Sequence, residues 1–216
     1  MTVDYKTSVF CYDETMNYRA VGFDWGGVLN GKPGQFFGQA VANLLGITHE
    51  KYLTAYFKHN SKINRGEISE AELWRLVLSE IGQPDKAQQV MALSRTANAE
   101  NTNQAVLDLV DKLRNHGYKV GLLSNNIPEK AARMRRTGLD KHFDVFHISA
   151  ETGYVKPEPP AFSHFAAALG VAPADLIFID DSEKSLSTAD ACGFTPVLFE
   201  GYEQLKSDLL KLGIRL

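Results

Sequence analysis

Four short stretches carry the side chains able to do chemistry. They are Asp24 in "VGFDWGGVLNG", Ser124 with Asn125 and Asn126 in "GLLSNN", Lys156 in "GYVKPEP", and Asp180 with Asp181 in "IFIDDSE". Each alone has an ordinary structural reading as a helix N-cap, a turn or a solvated lysine. Their common placement, at or just beyond the end of an apolar run, is what sets them apart. Three carboxylates gathered at one place repel and raise one another's pKa, and a divalent cation relieves that repulsion. A site of oxygen ligands with room for water and phosphate suits Mg²⁺. Lys156 adds a positive charge, while Ser124 offers a hydroxyl and the backbone N–H groups after it can bind an anionic oxygen. The cation and the lysine together would hold a phosphoryl group in line with Asp24, whose carboxylate can attack phosphorus.

The elements that position these residues follow from periodicity. "RAVGF", "YKVGLLS", "FDVFHIS", "DLIFID" and "TPVLF" read as strands. Between and after them, "NQAVLDLVDKLRNHG", "PEKAARMRRTG", "PPAFSHFAAALG", "SEKSLSTADACG" and "YEQLKSDLLKL" read as helices, several with proline early and glycine at the end. Nearly continuous apolar strands alternating with helices predict an α/β fold, a Rossmann-like parallel sheet with helices on both faces. Residues 35–103 interrupt that rhythm with helical texture in "GQFFGQAVANLL", "THEKYLTAYFKHN" and "SEAELWRLVLSEI". In the last of these, Ser69 followed by Glu72 is a capping-box start. The expected division is an N-terminal arm at 1–18, an α/β core at 19–34 and 104–216, and an inserted α-helical cap at 35–103. An insert after the first strand emerges at the carboxyl edge of the sheet, where open α/β sheets bind ligands.

The order Asp24, Ser124, Lys156, Asp180-Asp181, with a helical insert after the first motif, resembles the haloacid dehalogenase-like hydrolase superfamily. The likeness is to its helical-cap branch, with small sugar-phosphate phosphatases and the phosphatase domain of epoxide hydrolases. A phosphoryl-receiver domain has its acidic pair on the first strand, an order this chain does not follow. The resemblance implies that Asp24 is the nucleophile of an aspartyl-phosphate mechanism. It implies that Mg²⁺ takes the Asp24 carboxylate, the Gly26 carbonyl and Asp181, with Asp180 direct or through water. Ser124 and Lys156 would bind the phosphate, joined by the backbone N–H of Trp25 and by Asn125. The family's phosphatases usually carry a second Asp two residues after the nucleophile, as acid and then base. Here that residue is Gly26. A phosphatase working without that acid is the expected function. A phospho-ligand-binding protein of weak or no activity is the alternative. A 2-haloacid dehalogenase is disfavoured by the paired acids.

Formal net charge of −3 gives no electrostatic reason to expect nucleic acid or an anionic membrane. The N-terminus lacks the charged and apolar regions of a signal peptide, and no apolar run is long enough for a bilayer. Two cysteines, Cys11 and Cys192, form no CxxC pair. The expectation is a cytoplasmic monomer or homodimer acting on a small phosphorylated metabolite. In the insert, His59 and Glu67 are candidate replacements for the missing acid, though a solvated helix face is the plainer reading. Lys32, Arg65, Trp74 and Arg95 are candidate ligand contacts, with core packing the plainer reading of Trp74. The Trp25 indole is expected on the cap or the substrate.

Overall fold

The computed structural model of the chain describes residues 17–30, 35–97 and 102–216. Five strands form one sheet: β1 (Ala20–Phe23), β2 (Lys119–Ser124), β3 (Val145–Ile148), β4 (Leu176–Asp180) and β5 (Thr195–Leu198). Their order is β3-β2-β1-β4-β5 and every neighbouring pair is parallel. The expected fold class is therefore observed. β1 is central, and its last residue Phe23 is level with Leu122 of β2 and Ile179 of β4. Asp24 thus leaves the sheet between the ends of the two strands that carry Ser124 and Asp180. The chain fills the β2–β3 side first and then crosses to β4 and β5. This puts a topological switch point, and hence a crevice, beside β1.

Period-two alternation divides the core into two layers. Val21, Phe23, Val120, Leu122, Ile177 and Ile179 face one side. There they meet α6 (Gln104–Asn115), α7 (Pro128–Arg136) and α12 (Tyr202–Lys211). Ala20, Leu176 and Phe178 face the other, against Phe162, Phe165 and Leu169 of α9 (Pro159–Leu169). Gly22 and Gly121 are register partners on this second face. A Cβ on Gly22 would stand 2.6 Å from Phe165, and one on Gly121 would stand 2.5 Å from it. The Phe165 ring therefore lies directly on the backbone of two strands.

Between β1 and β2 lie α1 (Gln35–Leu45), α2 (His49–Phe57), α3 (Asn60–Asn64), α4 (Glu70–Ile81) and α5 (Ala87–Ala97). These helices bury an apolar cluster of their own, with Val41, Tyr52, Trp74, Val77, Leu78 and Val90 among its members. Ser69 caps α4 as its sequence predicts, accepting from the Glu72 N–H at 3.2 Å. Two elements differ from expectation. "THEKYLTAYFKHN" breaks into α2 and α3 at Lys58-His59. "SEKSLSTADACG" forms α10 (Glu183–Leu186) and α11 (Ala189–Cys192) rather than one helix. At this second break the Ser187 hydroxyl bonds the Lys184 carbonyl at 2.8 Å, and the Thr188 hydroxyl reaches the Pro157 carbonyl at 2.7 Å. Side-chain bonds of this kind compete with helix continuation. All but the last two residues of the expected arm, Cys11 included, lie outside the described residues. Tyr18 packs against the core, and its hydroxyl accepts from Thr195 at 3.1 Å.

Filling the Phe165 seat should strain the sheet. Gly121→Val should lower unfolding free energy by about 1–3 kcal/mol through overpacking. Adding Phe165→Leu should recover part of that loss. Urea melts of the two variants check this, and a silent Gly121→Val would contradict the packing.

Candidate active site

The carboxyl edge gathers what the sequence scatters. Asp24, Asp180 and Asp181 each offer an oxygen within 4.8 Å of the others. Lys156 reaches into this group from the loop after α8 (Ser149–Thr152). Its Nζ lies 2.8 Å from Asp24 Oδ1 and 2.5 Å from Asp180 Oδ2, with 2% of the side chain exposed. Burial by itself would lower the lysine pKa. Asp24, then Asp180, outweigh it, so the ammonium is held above its ordinary value. Burial is also the chief reason that Asp180 is pushed up to about 6; the Asp24 charge adds to it and Lys156 opposes it. The second Asp180 oxygen accepts from the Ser182 N–H at 2.9 Å.

The lysine loop is held by groups whose part the sequence did not reveal. The Asn125 amide donates to the Lys156 carbonyl at 2.8 Å, and its oxygen accepts from the Lys156 N–H at 2.9 Å. Thr188 fixes the next carbonyl, that of Pro157. Asn126 donates its N–H to the buried Ser149 hydroxyl at 3.0 Å, joining the ends of β2 and β3. The Asn125 side chain thus clamps the lysine backbone. An asparagine after a strand gives no sign of which backbone it will bind, and Thr188 looked like any mid-helix threonine.

The two glycines after Trp25 differ in kind. Gly27 has φ +76°, and a Cβ there would stand 2.0 Å from an Asp181 carboxylate oxygen. That site demands glycine for both backbone and space. Gly26 is not among the positive-φ glycines, so its backbone does not demand one.

The remaining candidates fall elsewhere. Trp25 is 1% exposed and its indole belongs to the α6 face of the core, correcting the expectation that it faces the insert or a ligand. Its apolar bulk is better hidden under the sheet than left at the mouth. Its Nε1 finds no hydrogen-bond partner among the described residues. Trp74 packs inside the insert and donates to Glu70 at 3.4 Å. His59 is half-buried rather than solvated, 3.8 Å from Glu80 at the end of α4 opposite Glu70. Glu67 is exposed. Arg65 pairs with Glu158. Lys32 and the Arg95 side chain lie outside the described residues. Ser124 is 2% exposed at the end of β2, one strand from Asp24.

The donor set fits a hard divalent cation. It is all oxygen, three carboxylates whose ligand atoms lie within 4.8 Å of one another. In chelator, the folded state holds the Asp180 proton more tightly than the unfolded chain does. Its contribution to stability is therefore full below 3.8 and is lost as pH rises to about 6. The melting temperature of wild type, taken relative to Asp180→Asn, should fall across that window, by an amount worth roughly 1–3 kcal/mol. Mg²⁺ should flatten the fall by stabilising the ionised form. Parallel wild-type and Asp180→Asn profiles in chelator would contradict this assignment.

Known proteins are similar to this chain in sequence and in fold. The chain is similar over 104 residues to Phosphatase MT3486 of Mycobacterium tuberculosis (strain CDC 1551 / Oshkosh), at 30% identity, covering 47% of this chain and 48% of the relative. It is 23% identical over 124 residues to Bifunctional epoxide hydrolase 2 of Mus musculus, covering 55% of this chain and 22% of the relative. The chain thus spans less than half the length of either relative. A HAD family enzyme of Bacteroides thetaiotaomicron, solved as a magnesium complex, superposes with a TM-score of 0.72 at 23% identity. That match covers 88% of this chain and 98% of the other. The profile of haloacid dehalogenase-like hydrolases matches residues 18–193, and the chain belongs to that family.

Proposed function

We propose that this chain is a Mg²⁺-dependent phosphatase of a small phosphorylated metabolite, with residues 35–103 as the cap over its site. The observation that carries the reading is Lys156, buried between Asp24 and Asp180 in a three-carboxylate cluster. Asp24, Asp181, the Gly26 carbonyl and Asp180 would hold the cation, which supplies charge neutralisation for the phosphoryl oxygens. Asp24 attacks phosphorus: its oxygen forms the new P–O bond as the bond to the leaving oxygen breaks. Lys156, in contact with Asp24, would with Ser124 and the N–H of Trp25 meet the phosphoryl oxygens. Water then attacks the aspartyl phosphate, releasing inorganic phosphate and restoring Asp24. No helix among the described residues is long and apolar enough to cross a membrane.

Gly26 places no side chain where the leaving oxygen needs a proton. Acid/base help is worth about 10²–10⁴-fold in rate. The leaving group must therefore depart as a stable anion or take its proton from water. Aryl, acyl and anomeric phosphates fit that demand better than alkyl phosphates. The same missing group favours a second reading, a phospho-ligand-binding protein with little turnover.

Asp24→Asn should abolish phosphatase activity while far-UV circular dichroism shows the native fold retained, and a variant that keeps its activity would refute the covalent mechanism. On a series of phosphate esters, rate should rise steeply as leaving-group pKa falls. Gly26→Asp, which the backbone tolerates, should speed alkyl esters more than aryl ones, by about ten-fold or more. A wild-type protein that binds Mg²⁺ and inorganic phosphate but hydrolyses no ester in the series would establish the binding reading. Metal-independent activity on a 2-haloacid would overturn both.

A further inference from the structure

Arg65 and Gly66 close the turn after α3, and both face the core. One guanidinium nitrogen of Arg65 lies 3.0 Å from Glu158 Oε2 and the other bonds Oε1, a two-pronged pair. Gly66 has φ +72°, and a Cβ on it would stand 2.3 Å from the Ala150 carbonyl oxygen of α8. The turn is thus seated on the backbone of α8 while its neighbour grips Glu158. Ile127, in the loop after β2, packs against the insert's apolar cluster. These three contacts fall on the segments that follow β2 and β3, the same segments that carry Asn125 and Lys156.

Glu158 is an unusual residue for its place. It is the N-cap of α9 yet makes no side-chain capping bond. Short polar residues normally fill that role, because a glutamate is too long to turn back on the helix. Its carboxylate instead spans to the insert, two residues from Lys156. The segment between them is rigid at both ends: Asn125 clamps the Lys156 backbone and Thr188 holds the Pro157 carbonyl. A force on Glu158 is therefore delivered to the lysine loop and not absorbed by slack chain.

We infer that Arg65 is a positioning residue whose pair with Glu158 is an electrostatic latch, holding the helical insert on the lysine loop and releasing it to let substrate exchange. The pair's exposure suits that task. Arg65 and Glu158 are 34% and 44% exposed. An exposed pair is weak and salt-sensitive, so it biases a closed arrangement without locking it. Burying the same pair would make opening costly in every cycle. The latch rests on the phosphatase reading only for its kinetic consequence, since the contact itself is independent of any turnover.

Hydrogen exchange on the full chain tests the contact directly. Arg65→Ala and Glu158→Ala should each speed amide exchange in segments 61–68 and 149–158 by about two- to five-fold, the scale of an exposed two-pronged pair. The double variant should show no further gain, and the charge swap Arg65→Glu/Glu158→Arg should restore slow exchange. Raising salt from about 0.05 M to about 0.5 M should reproduce the change in wild type and do nothing to Arg65→Ala. On an aryl phosphate, Arg65→Ala should raise KM by a similar factor while kcat does not fall. Wild-type exchange in both single variants, or single effects that add in the double, would overturn the latch. If those exchange results hold but wild type hydrolyses no phosphate ester, the latch stands and the phosphatase reading fails. If wild type hydrolyses esters and exchange is unmoved by either substitution, the reverse is true.

Discussion

A lysine ammonium with almost none of its side chain in water stays charged only if carboxylates surround it, and Lys156 has two of them in contact. Everything else at the carboxyl edge is arranged by that need. Removing one partner of a buried pair costs about 3–5 kcal/mol, because the remaining charge is stranded. Asp24 and Asp180 are thus bound to Lys156 as much as it is to them. Asp180 is the more deeply buried of the two and carries the raised pKa. The Asp181 carboxylate lies directly against Gly27. The cluster therefore joins the two acids in contact with Lys156 to a third acid seated against the turn after β1.

The parallel sheet makes this convergence possible. Strands running the same way end at the same edge, so residues far apart in sequence meet without any long-range design beyond strand order. β1 in the middle, with β2 and β4 beside it, sets Asp24 between Ser124 and Asp180. That packing depends in turn on Phe165, whose ring needs Gly22 and Gly121 to be bare. Gly22, which serves the core, and Gly27, which serves the site, sit only a few residues apart on β1 and the turn after it.

Much of this was legible in the sequence because it depends on local pattern. Continuous apolar runs marked all five strands, and Ser69 with Glu72 marked the start of α4. The four motifs pointed to one edge because each followed a strand. What the sequence hid depends on direction, not type. It could not show that the Asn125 amide turns to the Lys156 backbone, or that Arg65 meets Glu158 across the cleft. It could not show that the Trp25 indole goes under the sheet. The break in "SEKSLSTADACG" was hidden for the same reason, since Thr188 leaves the helix to bond a residue on a distant loop.

Gly26 and Gly27 bring these strands of the argument to one point. Adjacent identical residues invite one explanation, a tight turn after Asp24. The geometry separates them: Gly27 is required by its φ and by the Asp181 carboxylate, whereas Gly26 lacks that backbone requirement. A position free of conformational demand can change its side chain without refolding the loop. The fold thus constrains the groups that gather charge, Lys156 with its carboxylates and the bare Gly27 beside Asp181, more tightly than the backbone of residue 26.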